Sequence, residues 1–224
     1  MLNWSKISTV LLDMDGTILD LHFDNHFWLE HFPTRYSEQH GISIEESKQK
    51  LMERYLDLSG TIEWYCLDYW TEFTQMPMPL IKREVQHLIQ LREDADEFLT
   101  ALKQSGREVI LVTNAHPDAL SLKIERTQLD KYFDVLYSTH EFGVVKESQL
   151  LWKKLQAKQG FDVNKTLFVD DSLPVLKSAQ KYGIKHILAV ENPDSKKPAN
   201  SFTDFTSISD YRELTKDILA NPIR

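Results

Sequence analysis

The chain has 224 residues, 42% hydrophobic and 27% charged, enough to bury a good core in one domain or in one domain plus an inserted piece. A formal net charge of −8 supplies no basic field for non-specific binding to nucleic acid or an anionic membrane. An anionic substrate would therefore need local neutralisation, by a metal or a placed lysine. Cys66 is the single cysteine, which excludes an internal disulfide and fits a reducing compartment; it reads as a buried packing residue. No run is long enough to span a bilayer. The first apolar run stops at Asp13 with no charged leader before it, so a cytoplasmic protein without a signal peptide is expected.

The first element is the apolar run Val10-Leu11-Leu12, which ends in Asp13-Met14-Asp15-Gly16-Thr17. It is too short for a helix and is cut by a turn signal, so it reads as a buried strand. Alternate side chains of an extended chain point the same way, which sends Asp13 and Asp15 to one side. Open α/β sheets bind ligands at the C-terminal ends of parallel strands, and two carboxylates there can hold a hard divalent cation. A carboxylate beside such a cation can also attack phosphorus and carry an aspartyl-phosphate. The plain alternative is a strand that ends in an Asp-Gly turn.

Residues 21–90 differ from the rest, being rich in aromatic side chains and poor in β-branched runs. Ser43–Leu58 reads as a helix, with Ser43 and Glu46 as a capping box. Thr61–Phe73 reads as a second helix, with Ile62, Tyr65, Cys66, Tyr69, Trp70 and Phe73 on one stripe and Trp64 and Leu67 off it. Met76-Pro77-Met78-Pro79 breaks the pattern, and Leu80–Gln90 is a third helix. From Arg92 onward helices and strands alternate: helix Asp94–Gln104, strand Glu108–Thr113, helix Asp118–Thr127, strand Phe133–Ser138, helix Ser148–Gln159, strand Thr166–Asp170, helix Pro174–Tyr182 and strand His186–Val190. A polar stretch then leads to a closing helix, Ser209–Ala220. Repeated βα units with apolar strands predict an α/β fold, a Rossmann-like parallel sheet with helices on both faces. Residues 1–19 and 92–224 would form that core, and 20–91 an inserted all-helical cap domain.

Three more features fall at strand ends or in the loops after them. Thr113-Asn114 can donate hydrogen bonds to a phosphate without adding charge, or can form a turn or helix cap. Lys146 can neutralise a phosphate and a nucleophile together, or can be a solvated surface lysine. Asp170-Asp171 can complete a magnesium site, or can cap the helix that follows. Their order, spacing and shared position at strand ends make chance a poor account of the set.

Asp13-Met14-Asp15-Gly16-Thr17, Thr113-Asn114, Lys146 and Asp170-Asp171 resemble the four motifs of the haloacid dehalogenase superfamily of phosphohydrolases, and the resemblance spans nearly the whole chain. It implies that Asp13 is the nucleophile and that Asp15 protonates the leaving oxygen, then activates water. It implies that Mg2+ is held by Asp13, the backbone carbonyl of Asp15, and Asp171, with Asp170 direct or through water. It further implies that Thr113, Asn114 and Lys146 hold the phosphate, and that the helical insert is a cap with hinges near Asp20 and Leu91-Arg92. Glu147 departs from the proline that follows the lysine in many relatives, which alters the loop and leaves the lysine available. The stretches LDLHFDNHFW, TIEWYCLDYW, LVTNAHP, STHEFGVVKE and ENPDS also resemble the bacterial GMP/IMP 5′-nucleotidases of this superfamily, which implies purine nucleoside monophosphates as substrates. Trp64, off the aromatic stripe, is then the candidate for stacking on the purine. His22, Asp24, Asn25 and His26 are candidates to meet ribose or base, or are the polar surface of a helix start. His116 lies near enough to reach the site and has no assigned role.

The expectation is a magnesium-dependent hydrolase of a small phosphate ester, with no nucleic-acid or membrane partner, as a monomer or small homo-oligomer. Two other readings compete with it: a phosphatase or phosphomutase acting on a sugar phosphate, and a non-catalytic domain that binds a partner through its aromatic insert. Dehalogenation is disfavoured because dehalogenating relatives lack the second acid that Asp15 supplies.

Overall fold

The computed structural model describes residues 2–223. Its centre is a sheet of six strands: β1 Thr9–Leu12, β2 Glu108–Thr113, β3 Val135–Ser138, β4 Thr166–Asp170, β5 His186–Val190 and the two-residue β6 Ser207–Ile208. The order is β3-β2-β1-β4-β5-β6, and every neighbouring pair is parallel. The chain winds outward from β1 in both directions, so a crevice opens beyond the ends of β1, β2 and β4. Leu12 is in register with Leu111 on one side and Val169 on the other, so Asp13 emerges level with Asp170. Side chains along the strands alternate between two cores. Val10, Leu12, Val109, Leu111, Leu167 and Val169 join one; Leu11, Ile110, Val112 and Phe168 join the other. Burying each such side chain is worth ~1.5–3 kcal/mol, which keeps polar residues out of the strands until they end.

The chain leaves the sheet domain through residues 18–20 and returns through 90–92. The two crossings are bonded to each other: Asp20 N–H donates to the Gln90 carbonyl and Arg92 N–H to the Ile18 carbonyl, both at 3.0 Å, with Leu19 opposite Leu91 in an antiparallel bridge. The Asp20 carboxylate braces this ribbon, accepting from His22 N (3.0 Å), Gln90 Nε2 (3.1 Å) and Ser195 N (3.0 Å). Between the crossings, α1 (His22–His26) runs through a π-helical turn (Phe27–His31) into α2 (Phe32–His40), followed by α3 (Ile44–Leu58), α4 (Ile62–Tyr65), α5 (Leu67–Thr74) and α6 (Met78–Glu84). Phe23, Phe27, Phe32 and Trp70 are buried among them.

Three details of the insert differ from the sequence reading. Before Ser43, where the sequence suggests a helix start near His22 without bounds, the chain is helical from His22 to His40. The helix expected over Thr61–Phe73 is broken at Cys66, which is extended (φ −84°, ψ 108°). That single extended residue rotates α5 relative to α4 and destroys the expected stripe: Leu67 is 1% exposed and Phe73 47% exposed. Cys66 itself is half-buried rather than a core packing residue. The third helix starts earlier, at Met78, because Pro79 sits in the first turn where its missing N–H costs nothing; a short 3-10 turn, Gln86–Leu88, follows. Ser43 Oγ accepts from Glu46 N at 3.1 Å, as the capping signal implies.

Beyond the insert, α7 (Ala95–Gln104), α8 (Pro117–Thr127), α9 (Gln149–Gln159), α10 (Leu173–Tyr182) and α11 (Arg212–Ala220) cover the sheet. α7 and α11 pack on one face, where Phe98 stacks on Tyr211 at 4.3 Å. α9 and α10 pack on the other through Trp152, Leu155 and Leu176. The expected parallel sheet with helices on both faces is the observed architecture. Among the described residues no helix is long and apolar enough to cross a membrane.

Candidate active site

The crevice collects charge because the strands end there. Asp13 follows β1 and is buried; its amide donates to the Val169 carbonyl at 3.0 Å, which continues the pairing of β1 with β4 one residue further. The turn after it needs Gly16 for two reasons. Its φ is +82°, and a Cβ there would stand 2.7 Å from Asp171 Cγ and 2.9 Å from Pro193 Cβ. Asp13, Asp170 and Asp171 each bring a carboxylate oxygen within 4.8 Å of the other two. Lys146 reaches between them, its Nζ 2.5 Å from Asp13 Oδ1 and 2.8 Å from Asp170 Oδ2.

Burial pushes Asp13 up to about 7, with Asp170 adding to the rise and Lys146 opposing it. Burial also raises Asp171 well above the usual carboxylate range, aided by Asp170 and Asp13. Burial would lower Lys146, but Asp13 and Asp170 more than offset it and hold the ammonium charged. Three crowded carboxylates thus share one compensating cation. An all-oxygen cluster of this kind suits a hard divalent cation such as Mg2+, whose charge would relieve the crowding.

Thr113 and Asn114 are placed to build the loop around this cluster. Thr113 Oγ1 accepts from Ala115 N at 3.0 Å. Asn114 Oδ1 accepts from Lys146 N (3.0 Å) and Thr139 Oγ1 (3.1 Å), and its Nδ2 donates to Glu147 Oε2 (3.2 Å). Asn114 therefore pins the lysine loop to the end of β2. Glu147 also accepts from Tyr65 Oη of the insert at 3.4 Å.

Asp15 has a partner that the sequence reading missed. Lys123 of α8 is buried and donates from Nζ to Asp15 Oδ1 and to Asp24 Oδ2, both at 2.6 Å. Asp24 Oδ1 accepts from Lys82 Nζ of α6 at 2.9 Å, and Lys82 is buried as well. Burial pushes Asp15 up to about 7 against the pull of Lys123. Burial would raise Asp24 too, but Lys123 and Lys82 more than reverse it and hold Asp24 ionised. A signal for Lys123 existed. It shares a helical face with Ala119 and Leu122, both buried, and a lysine on an apolar face needs an acidic partner.

Above these groups lies a cavity of about 290 Å3, at the small end of ligand pockets. Asp13, Asp15, Lys146, Asp170 and Asp171 line its floor, with Thr113 and Asn114 beside them. Trp64, Tyr65 and Trp28 line it from the insert. Trp64 stacks on Trp28 at 5.6 Å and meets Tyr55 edge to face at 4.8 Å. Of the polar residues early in the insert, Asp24 and Asn25 line the cavity, while His22 and His26 lie outside its lining. His116 lines it and also caps α8, accepting from Asp118 N at 3.3 Å.

A parallel sheet with a helical insert after its first strand, and acids and a lysine gathered at the strand ends, is the arrangement of a haloacid dehalogenase-like hydrolase. The sequence model of that family matches residues 7–183, and the chain belongs to it. The chain is 42% identical over 216 residues to the GMP/IMP nucleotidase YrfG of Escherichia coli (strain K12), covering 96% of this chain and 97% of that protein. Among solved structures, a HAD phosphatase from Thermococcus onnurineus superposes with a TM-score of 0.79 at 20% identity, over 97% of this chain and all of the other. The L-2-haloacid dehalogenase from Xanthobacter autotrophicus superposes with a TM-score of 0.63 at 14% identity, over 94% of this chain and 97% of the other. At those identities the two structures speak to the fold alone.

Proposed function

We propose that this chain is a magnesium-dependent phosphomonoesterase that hydrolyses purine nucleoside 5′-monophosphates, GMP and IMP, to nucleoside and phosphate. The observation that carries the chemistry is Asp13 at 2.5 Å from Lys146 on the floor of a cavity roofed by Trp64 and Trp28. The likeness to the Escherichia coli nucleotidase supports the substrate class.

In this reading an Asp13 oxygen attacks the phosphorus in line with the ester oxygen, and the P–O bond to the nucleoside breaks. Asp15, held near neutrality by burial, gives its proton to that leaving oxygen. The resulting carboxylate then takes a proton from water as the water attacks the aspartyl-phosphate, which releases phosphate and restores Asp13 and protonated Asp15. Asp13, Asp170, Asp171 and the backbone carbonyl of Asp15 would hold Mg2+, which when bound neutralises charge on the transferring phosphoryl group. Lys146, with Thr113 and Asn114, steadies the phosphate oxygens, and Lys146 also lowers the charge density on Asp13 before attack. Trp64 offers its face to the purine. Residues 20–91 act as the cap, and closure over the floor excludes bulk water.

The test is phosphate release from a panel of nucleoside monophosphates and sugar phosphates, with magnesium and with EDTA. Release led by GMP and IMP and abolished by EDTA is the expected result. Release led by a sugar phosphate would keep the chemistry and overturn the substrate class. No release from any member would overturn the enzyme reading.

A further inference from the structure

A second cluster of ligand-type side chains lies where the insert meets the sheet domain. Cys66 is the extended residue between α4 and α5. His116 is the N-cap of α8, and His140 lies in the 3-10 turn Thr139–Phe142 after β3. One donor atom from each lies within 4.8 Å of the other two. The two imidazole rings stand edge to face with centroids 5.0 Å apart. Unlike the all-oxygen floor of the cavity, this cluster offers sulfur and nitrogen.

His140 Nε2 is buried and has no hydrogen-bond partner among the described residues. The ring therefore offers a buried nitrogen that has no competing hydrogen bond to give up. A buried polar atom left unpaired is destabilising, and a bound cation would give it a partner. His116 Nε2 is 3.4 Å from Asp68 Oδ2, an exposed carboxylate in the first turn of α5. Its Nδ1 accepts from Asp118 N at 3.3 Å, so ligation through Nε2 moves the ring proton to Nδ1 and exchanges that cap bond for one to Asp118 Oδ2, now 3.9 Å away.

We propose that Cys66, His116 and His140 form a binding site for a borderline-soft divalent cation of the zinc class, the exposed Asp68 carboxylate moving in from beside His116 to take the fourth position. Zn2+ takes thiolate at ~2.3 Å and imidazole at ~2.0–2.1 Å in a tetrahedron, so the donors need to close by about 1 Å. Binding releases the thiol proton and fixes both imidazoles in the neutral form. Soft donors select zinc, cobalt or copper over magnesium, so this site and the acidic floor do not compete for one ion. Cys66 and Asp68 belong to the insert, whereas His116 and His140 belong to the sheet domain. An ion here therefore pins the two together beside the cavity.

The test is titration of the metal-free full-length protein with Co2+, read by absorption. With a single cysteine in the chain, a near-ultraviolet thiolate-to-cobalt charge-transfer band reports Cys66 alone. We expect that band together with tetrahedral visible bands at one equivalent, all displaced by Zn2+ and unaffected by excess Mg2+. Cys66→Ser should abolish the charge-transfer band while keeping the far-ultraviolet circular dichroism of the parent. His140→Gln should weaken Co2+ binding at least about tenfold, the lower end of what losing even an outer partner of a metal site costs. Asp13→Asn should leave the band in place. Absence of a charge-transfer band in the parent protein overturns the proposal, as does a band that survives in His140→Gln at unchanged affinity.

Discussion

Lys123→Met keeps the length of the buried stem and removes the charge that Asp15 and Asp24 share. Asp24 retains Lys82 at 2.9 Å, whereas Lys123 is the largest influence holding Asp15 down. Loss of an opposite charge at this range shifts a carboxyl by about 1–3 pKa units, so Asp15 should rise from about 7 by that amount. Asp15 must be ionised to activate water in the second step. The acidic limb of kcat should therefore move up by about 1–3 pH units, and kcat at pH 7 should fall roughly tenfold for each unit. An aryl phosphate is the substrate of choice, because its good leaving group needs little proton donation and leaves the water step exposed. Breaking a buried ion pair costs ~3–5 kcal/mol, and protonation of Asp15 keeps the loss at the lower end. For a chain of this size about 3 kcal/mol corresponds to a fall in Tm of roughly 6–12 °C. Lys123→Arg, which keeps the charge, should keep the limb where it is. A folded Lys123→Met protein with an unmoved acidic limb would refute the role given to this lysine.

Asp13→Asn should reduce phosphate release to background in a folded protein, since a carboxamide is a poor nucleophile; turnover near the parent rate would remove Asp13 from that role. Trp64→Ala should raise KM for purine nucleotides over that for an aryl phosphate by roughly 5–150-fold, the worth of ~1–3 kcal/mol of stacking. Equal changes on both substrates would take Trp64 out of the base site and leave it as packing for Trp28 and Tyr55. Magnesium should raise Tm more at pH 8 than at pH 6. Asp13 and Asp15 have folded values near 7, above 3.8, so their ionisation costs stability increasingly as pH rises from about 4 through 7. A cation that binds the ionised floor relieves that cost at pH 8, but at pH 6 it must displace protons, which weakens binding roughly tenfold per proton released per pH unit. Equal thermal shifts at the two pH values would contradict this.

The first five strands were legible because each is an apolar run that meets a polar residue where it leaves the core. Asp13, Asp170 and Asn114 were legible by the same logic, standing at or just beyond those ends, and Lys146 from its place in the long loop between β3 and α9. The elements that escaped did so for local reasons. His-Phe-Asp-Asn-His carries too few apolar residues to show a helical period, because its acid and amide pair with Lys82, Lys123 and Asp194 inside the protein rather than with water. The break at Cys66 is one residue long, and an apolar pattern read in a single phase runs straight across it. β6 contributes only Ser207 and Ile208, joined to β5 through backbone bonds that no side-chain pattern records.

The bonded ribbon at residues 18–20 and 90–92 limits how the insert can be displaced. Two separate strands would act as two tethers, and a body on two loose tethers can slide, twist and tilt. Here Ile18 and Asp20 hold Arg92 and Gln90 laterally, so neither tether lengthens or rotates alone. In-plane shear would break both bonds, whereas flexing perpendicular to the ribbon breaks neither. Ser195, bonded to the Asp20 carboxylate, anchors the axis of that flexing to the sheet domain. What the ribbon alone permits is a swing about a fixed line, and such a swing would have to part Asp24 from Lys123 and Tyr65 from Glu147, bonds that tie the insert to the sheet domain around the cavity.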